Sequence, residues 1–175
     1  MPTPERTSLA EIIRAGRDIV EAAGPGRLTM QAVAQRVGVR APSLYKRVRD
    51  RDALLTLIAA ASADDLTARL EASDGSLQAL ARIYRAFAQE NREAFRLMLT
   101  TDGAADAMAR ASRPVLRASA GLVGEDSALD AARLVTAWAT GFVDMELAGA
   151  FRFEGDLDRA FEYGLDHIVA GLRPT

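Results

Sequence analysis

A chain of 175 residues, 49% apolar and with a formal net charge of −2, is long enough for one large domain or a small one fused to a larger, and too apolar to stay disordered. The absence of cysteine excludes disulfide and thiolate chemistry, and a single histidine leaves no His/Cys metal set, so neither a metal nor a cofactor is expected. No apolar run approaches the ~20 residues that a membrane-spanning helix needs. Residues 1–8 are short, polar and proline-containing, unlike an export signal, so a cytoplasmic protein without a membrane partner is expected.

Nearly everything reads helical, which predicts an all-α fold. The first helix is expected over about Leu9–Ala23, with Ile12, Ile13, Gly16, Ile19, Val20 and Ala23 on one stripe and Gly24-Pro25-Gly26 stopping it. Met30, Val33, Ala34 and Val37 then fall at i, i+3, i+4 and i+7. Thr29 precedes them as a cap, and Gly38 follows where a left-handed residue can end a helix. A short helix starts near Ala41, with Pro42 in its first turn. Its positions Ala41, Leu44 and Val48 point to the core, while Ser43, Tyr45, Lys46 and Arg47 point away. A helix-turn-helix needs this arrangement, one helix propping and the next entering the major groove. A long fourth helix is capped by Asp50 and runs to about Glu71.

After Ser73-Asp74-Gly75, a helix is expected over about Ser76–Glu90, then an apolar stretch Phe95–Leu99 and a break at Thr100–Gly103. Two short helices are expected over 104–122, with Ser112 capping the second and Pro114 in its first turn, followed by a loop from Gly121 to Glu125. A strongly apolar helix follows over about Asp126–Ala150. The last helix, 157–172, is started by Gly155-Asp156 and carries Leu157, Phe161, Leu165, Ile168 and Leu172 at heptad-like spacing.

Charge divides the chain. Residues 1–55 hold ten Lys/Arg against six Asp/Glu, and residues 56–175 hold twelve against eighteen. A basic DNA-binding head on an acidic body has this asymmetry, although a +4 segment alone is ordinary. Domains are therefore expected at 1–55 and 56–175. Arginine outnumbers lysine 21 to 1, which bears on genome composition and not on mechanism.

Leu28-Thr29-Met30, Val33-Ala34, Val37-Gly38-Val39, Ser43-Leu44-Tyr45 and Arg51-Asp52-Ala53-Leu54-Leu55 together resemble the DNA-binding domain of the TetR family of transcriptional regulators, over residues 9–58. The segment WATGFVDMELAG, residues 138–149, is similar to the subgroup whose effector domain is named for a Trp-His-Gly pattern, with Thr140 in place of the histidine. The resemblance implies a three-helix head joined to a helical ligand-binding and dimerisation domain. It implies a homodimeric repressor, released from a double-stranded operator by a small apolar or amphipathic effector.

On that reading Tyr45 and Lys46 meet phosphates, Thr29 and Arg51 contribute from two helix N-termini, and Arg40, Ala41, Ser43 and Arg47 read bases. Arg49 is read as a solvated charge. Three positions depart from the family: Arg40 replaces a Ser or Thr cap, Val48 an aromatic residue, and Arg47 a histidine. In the body, Tyr84, Phe87, Phe95, Met98, Met108, Trp138 and Phe142 are expected either to line an apolar effector cavity or to fill the core, with Tyr84, Arg85 or Thr136 as a polar anchor. The helix at 126–150 is apolar around much of its circumference, so a second copy is expected to cover it through Val143, Leu147, Phe161, Leu165 and Ile168.

No nucleophile–base set, phosphate loop or paired carboxylate is present, so no enzymatic activity is expected. His167 is read as a surface or interface residue near a helix end. The competing functions are a small helical ligand-binding protein or enzyme whose helix-turn-helix is structural, and a DNA-bound scaffold without an effector.

Overall fold

The computed structural model describes residues 7–173. Residues 1–6, on which most of the export-signal reading rests, lie outside the described residues. Among those described there is no strand. The α-helices are α1 (Leu9–Ala23), α2 (Met30–Arg36), α3 (Ala41–Leu44), α4 (Arg51–Glu71), α5 (Leu77–Glu90), α6 (Arg92–Thr100), α7 (Ala105–Val123), α8 (Glu125–Leu147) and α9 (Leu157–Leu172). Among the described residues no helix is long and apolar enough to cross a membrane.

Side-chain caps set most of the starts. Ser8 and Glu11 form a reciprocal capping box on α1, Thr29 Oγ1 accepts from Ala32 N–H at 3.0 Å, and Asp50 Oδ1 accepts from Ala53 N–H at 2.7 Å. Ser76 Oγ accepts from Ala79 N–H, and Asp156 Oδ1 from the amides of Asp158 and Arg159. Arg40 precedes α3 without any side-chain cap bond, as its departure from Ser or Thr implies. Gly38, at φ +72°, turns the chain between α2 and α3 in a backbone region that costs an L side chain strain.

One expectation fails between 104 and 125. The two short helices are one, α7, with Pro114 inside it and Ser112 in mid-helix. Proline interrupts a helix because it lacks an amide and crowds the preceding turn, at a cost of about 3 kcal/mol. Here Ala107, Ala111 and Pro114 are buried and Ala118 and Leu122 half-buried at i, i+4, i+7, i+11 and i+15, so one apolar face runs unbroken through the proline. Packing of that face outweighs the local defect. The expected 121–125 loop shrinks to Gly124, at φ +83°.

The residues gather into two compact units, one of residues up to Asp64 together with Asn91–Met108, the other of Asp65–Glu90 together with the chain from Ala109 onward. The first unit is built on Ile12, Val20, Leu28, Val33, Leu44, Leu54 and Ile58, all essentially inaccessible to solvent, with Leu97 of α6 added to the same cluster. Glu21 of α1 reaches the start of α6, its carboxylate accepting from Ala94 N–H at 2.7 Å and Glu93 N–H at 3.2 Å. Arg17 donates to Asn91 Oδ1 at 2.8 Å. In the second unit α5, α8 and α9 enclose Leu77, Ala81, Val135, Phe161, Leu165 and Val169.

Candidate nucleic-acid interface

The short helix α3 and the turn that follows it, residues 40–48, separate their residues by polarity. Leu44 and Val48 are buried in the core of the first unit and Ala41 packs against it, half-buried. Ser43, Tyr45, Lys46, Arg47 and Arg40 are exposed. Tyr45 is 53% exposed, a large value for an aromatic ring beside a well-packed core. A groove of about 710 Å³ runs alongside, and Arg40, Ser43, Lys46 and Arg47 line it with Thr7 and Ile12. Three cations thus converge on one concave strip. Nearby, Arg49 pairs with Asp50 at 2.7 Å and Arg36 with Asp18 at 3.2 Å.

Two residues expected on the DNA side have another use. Arg51 Nε donates to the carbonyl of Leu28 at 2.9 Å, and its terminal nitrogens donate to the carbonyl of Pro25 at 2.7 Å and to Asp52 Oδ1 at 3.2 Å. Its guanidinium therefore ties the 25–28 turn to the start of α4 and is not a free phosphate ligand. The acceptors are backbone carbonyls 23 and 26 residues away, which no local pattern announces. Thr29 Oγ1 accepts a bond from its own helix, and its proton is what it can offer to an anionic acceptor outside.

The body residues sort differently from the expectation. Phe95, Met98 and Met108 belong to the first unit, Tyr84, Phe87, Trp138 and Phe142 to the second. Phe87, Phe95 and Met98 have almost no accessible surface and pack in the core. Trp138, Phe142 and Phe161 form one aromatic cluster, with Trp138 stacked on Phe161 at 5.0 Å between centroids and Phe142 edge-on to it at 5.2 Å. The Tyr84 hydroxyl shares a 2.9 Å hydrogen bond with Thr140 Oγ1.

Sequence reading missed the strongest polar feature of this unit. Arg85, with a side chain 10% exposed, donates to both oxygens of Glu146, at 2.8 and 2.6 Å, and to Asp158 Oδ1 at 2.8 Å. Its guanidinium lies 4.9 Å from the centre of the Phe161 ring. These bonds, with help from Gln89, hold the Glu146 carboxyl below the usual carboxylate range against the opposing effect of burial. The three residues come from α5, α8 and α9, so only the fold assembles them.

The expected dimer residues need a correction. Val143, Leu147, Phe161 and Leu165 are buried within the single chain and Ile168 is half-buried, so the first four offer no surface to a second copy. The heptad-like face of α9 is satisfied by its own α5 and α8. The apolar side chains left exposed on these helices are Leu129, Leu134, Met145 and Tyr163. His167 is exposed as expected, its Nδ1 2.7 Å from the carbonyl of Tyr163, to which it donates.

Comparison with known proteins decides the family. The model of bacterial regulatory proteins of the tetR family matches residues 12–58, and that of the tetracyclin repressor-like C-terminal domain matches residues 77–168, more than half of the chain. The chain belongs to the TetR family of transcriptional regulators. A protein of unknown function from Rhodococcus sp. RHA1 is similar at 23% identity and a TM-score of 0.81, over 98% of this chain and 97% of that one. A variant TetR from Acinetobacter baumannii AYE, solved in complex with minocycline, is similar at 26% identity and a TM-score of 0.70, over 97% and 99%. BioQ of Mycobacterium smegmatis is similar at 22% identity and 0.66, over 95% and 98%. No curated protein matches. The family's DNA-binding domain model covers α2 and α3, which form the helix-turn-helix.

Proposed function

We propose that this TetR-family protein is a homodimeric repressor that binds an operator through α3 and leaves it when a small apolar or amphipathic ligand enters its second unit. The observation that carries the DNA-binding half is the convergence of Arg40, Lys46 and Arg47 with exposed Ser43 and Tyr45 on one strip formed by α3 and the residues flanking it. Tyr45 and Lys46 take phosphates, which orient the helix without reading sequence. Arg40 and Arg47 reach guanine edges, and Ser43 completes the reading set. Ala41, half-buried, offers its methyl to thymine only at the margin. Thr29 donates its remaining proton to a phosphate.

The match to a tetracyclin repressor-like C-terminal domain and the likeness to a minocycline-bound relative support an effector in the second unit. Tyr84 and Thr140, joined by their hydrogen bond, supply the polar anchor. The exposed apolar residues Leu134 and Met145 on α8 and Tyr163 on α9 support dimerisation, the partner covering this outer face and not the buried heptad stripe. Two recognition helices related by a two-fold axis then meet half-sites about one turn of duplex, ~34 Å, apart. Effector binding changes that separation and so weakens operator affinity, by an equal and reciprocal coupling.

The test begins with a selection of duplexes from a random pool. Lys46→Ala should then weaken binding to the selected duplex and to unrelated ones alike. The slope of log affinity against log salt should fall by roughly one unit. An unchanged slope removes Lys46 from the phosphate set, and failure to select any duplex sinks the DNA-binding reading.

A further inference from the structure

Two features of the second unit are complementary and too far apart to meet within one chain. The first is Phe153, 95% exposed in the loop Ala148–Asp156, between Arg152 and the acidic pair Glu154 and Asp156. Its neighbour Phe151 is anchored, 4.9 Å from the Phe142 ring, so the loop is held with Phe153 directed outward. An almost bare phenylalanine on an otherwise fixed loop is unusual unless something covers it. The second is an apolar groove of about 450 Å³ between α7 and α8, floored by Val115, Leu116, Leu129 and Ala132 and flanked by Arg113 and Arg133. Leu129 is 51% exposed there.

The groove lies along residues 129–137 of α8, and the loop begins after its C-terminal end. At 1.5 Å per residue, Arg133 and Leu147 are about 20 Å apart along the axis. A two-fold axis reverses this separation. If α8 of two copies cross antiparallel near Gly141, where a Cβ would meet nothing within 4 Å, the end of one α8 comes level with about residue 135 of the other. The loop of each copy then stands over the groove of its partner.

Resting on the homodimer reading above, we infer that Phe153 of each subunit plugs the α7–α8 groove of a second copy, with Glu154 set against Arg113 and Arg133. The occupant is committed by charge and by geometry. The knob brings net acid to a basic rim, and one rotation fills both grooves with both knobs. Arg133 keeps only a long contact to Asp130, 3.5 Å and exposed, which a partner carboxylate replaces at little cost.

The chain has no cysteine, so the test can be clean. Phe153→Cys combined with Leu129→Cys in the full chain should oxidise to a covalent dimer on a non-reducing gel. Phe153→Cys alone, with no thiol in the partner's groove, should not. Phe153→Ala should raise the dimer dissociation constant about tenfold or more by sedimentation, as loss of a central aromatic anchor does. A wild-type protein that sediments as a monomer overturns the dimer reading and the plug with it. A wild-type dimer that neither cross-links at 153 and 129 nor weakens on Phe153→Ala overturns the plug alone. Protection of Leu129→Cys from a thiol reagent by dodecanoate, but not by raising protein concentration, overturns it in favour of an anionic amphiphile in the groove.

Discussion

Substituting Gly164 by alanine tests the packing of the aromatic cluster at its tightest point. Gly164 lies in α9 beneath the Trp138 indole. A Cβ built there would sit 2.5 Å from Trp138 Cζ2 and 3.1 Å from Cε2, far inside contact distance. Trp138 cannot swing freely, because Phe161 stacks on it and Phe142 packs 5.9 Å from its centre. Forcing one methyl into such a core costs about 1–3 kcal/mol. Alanine in place of a helical glycine returns up to about 1 kcal/mol. The net expectation is a loss of roughly 1–2 kcal/mol, or a few degrees of melting temperature for a chain of this size. Trp138 is the only tryptophan, so its emission reads the same site during the same melt. The emission of the folded variant should shift, since the ring must tilt. Gly171→Ala, in the same helix with nothing within 4 Å, should be neutral or slightly stabilising. A Gly164→Ala protein that melts no lower than wild type with unchanged emission refutes the close-packed account.

Arg51→Ala should lower thermal stability by about 1–3 kcal/mol, because two charge-assisted bonds to backbone carbonyls are lost, and should leave the salt slope of DNA binding nearly unchanged. A stable variant with a reduced slope returns Arg51 to the phosphate set. Arg85→Ala should cost on the order of 3 kcal/mol by leaving Glu146 buried without its partner, measured by denaturant titration. The Glu146 carboxyl is held below its ordinary 4.5, so its contribution is complete above that value and is lost as the pH falls below it. Glu146→Gln should flatten that acid limb of the stability profile, and an unaltered limb counts against the pair. Arg40→Ala should relax base preference, losing about 1–3 kcal/mol of discrimination, and an identical selected consensus removes Arg40 from the reading set.

Local chemistry was legible where one residue type decides a local event. Thr29, Asp50, Ser76 and Asp156 mark helix starts that the structure reproduces, because a cap needs only its own next turn. Pro114 misled for the same reason: its local penalty is visible and the tertiary burial that outweighs it is not. The apolar spacing on α9 was read correctly as a buried face, but spacing does not say what buries it, and the cover is the subunit's own α5 and α8. Arg51 carries no signal distinguishing a phosphate ligand from a lock on distant carbonyls. Arg85 reads from sequence as a candidate cavity anchor, and its engagement by Glu146 and Asp158 appears only when three helices bring them together.

The carboxylate of Glu21 has a consequence for the order in which this chain assembles. It satisfies two amides at the start of α6 from 72 and 73 residues upstream, and Asn91, the residue before α6, makes no side-chain cap bond of its own to the helix. A helix of nine residues without a local cap is too short to persist alone. Closing so long a loop is entropically expensive and slow compared with forming α1 and α2 from neighbouring residues. Formation of α6 therefore waits for α1 to be in place, and the N-terminal amides of α6 should be among the last in the first unit to gain protection from exchange during refolding.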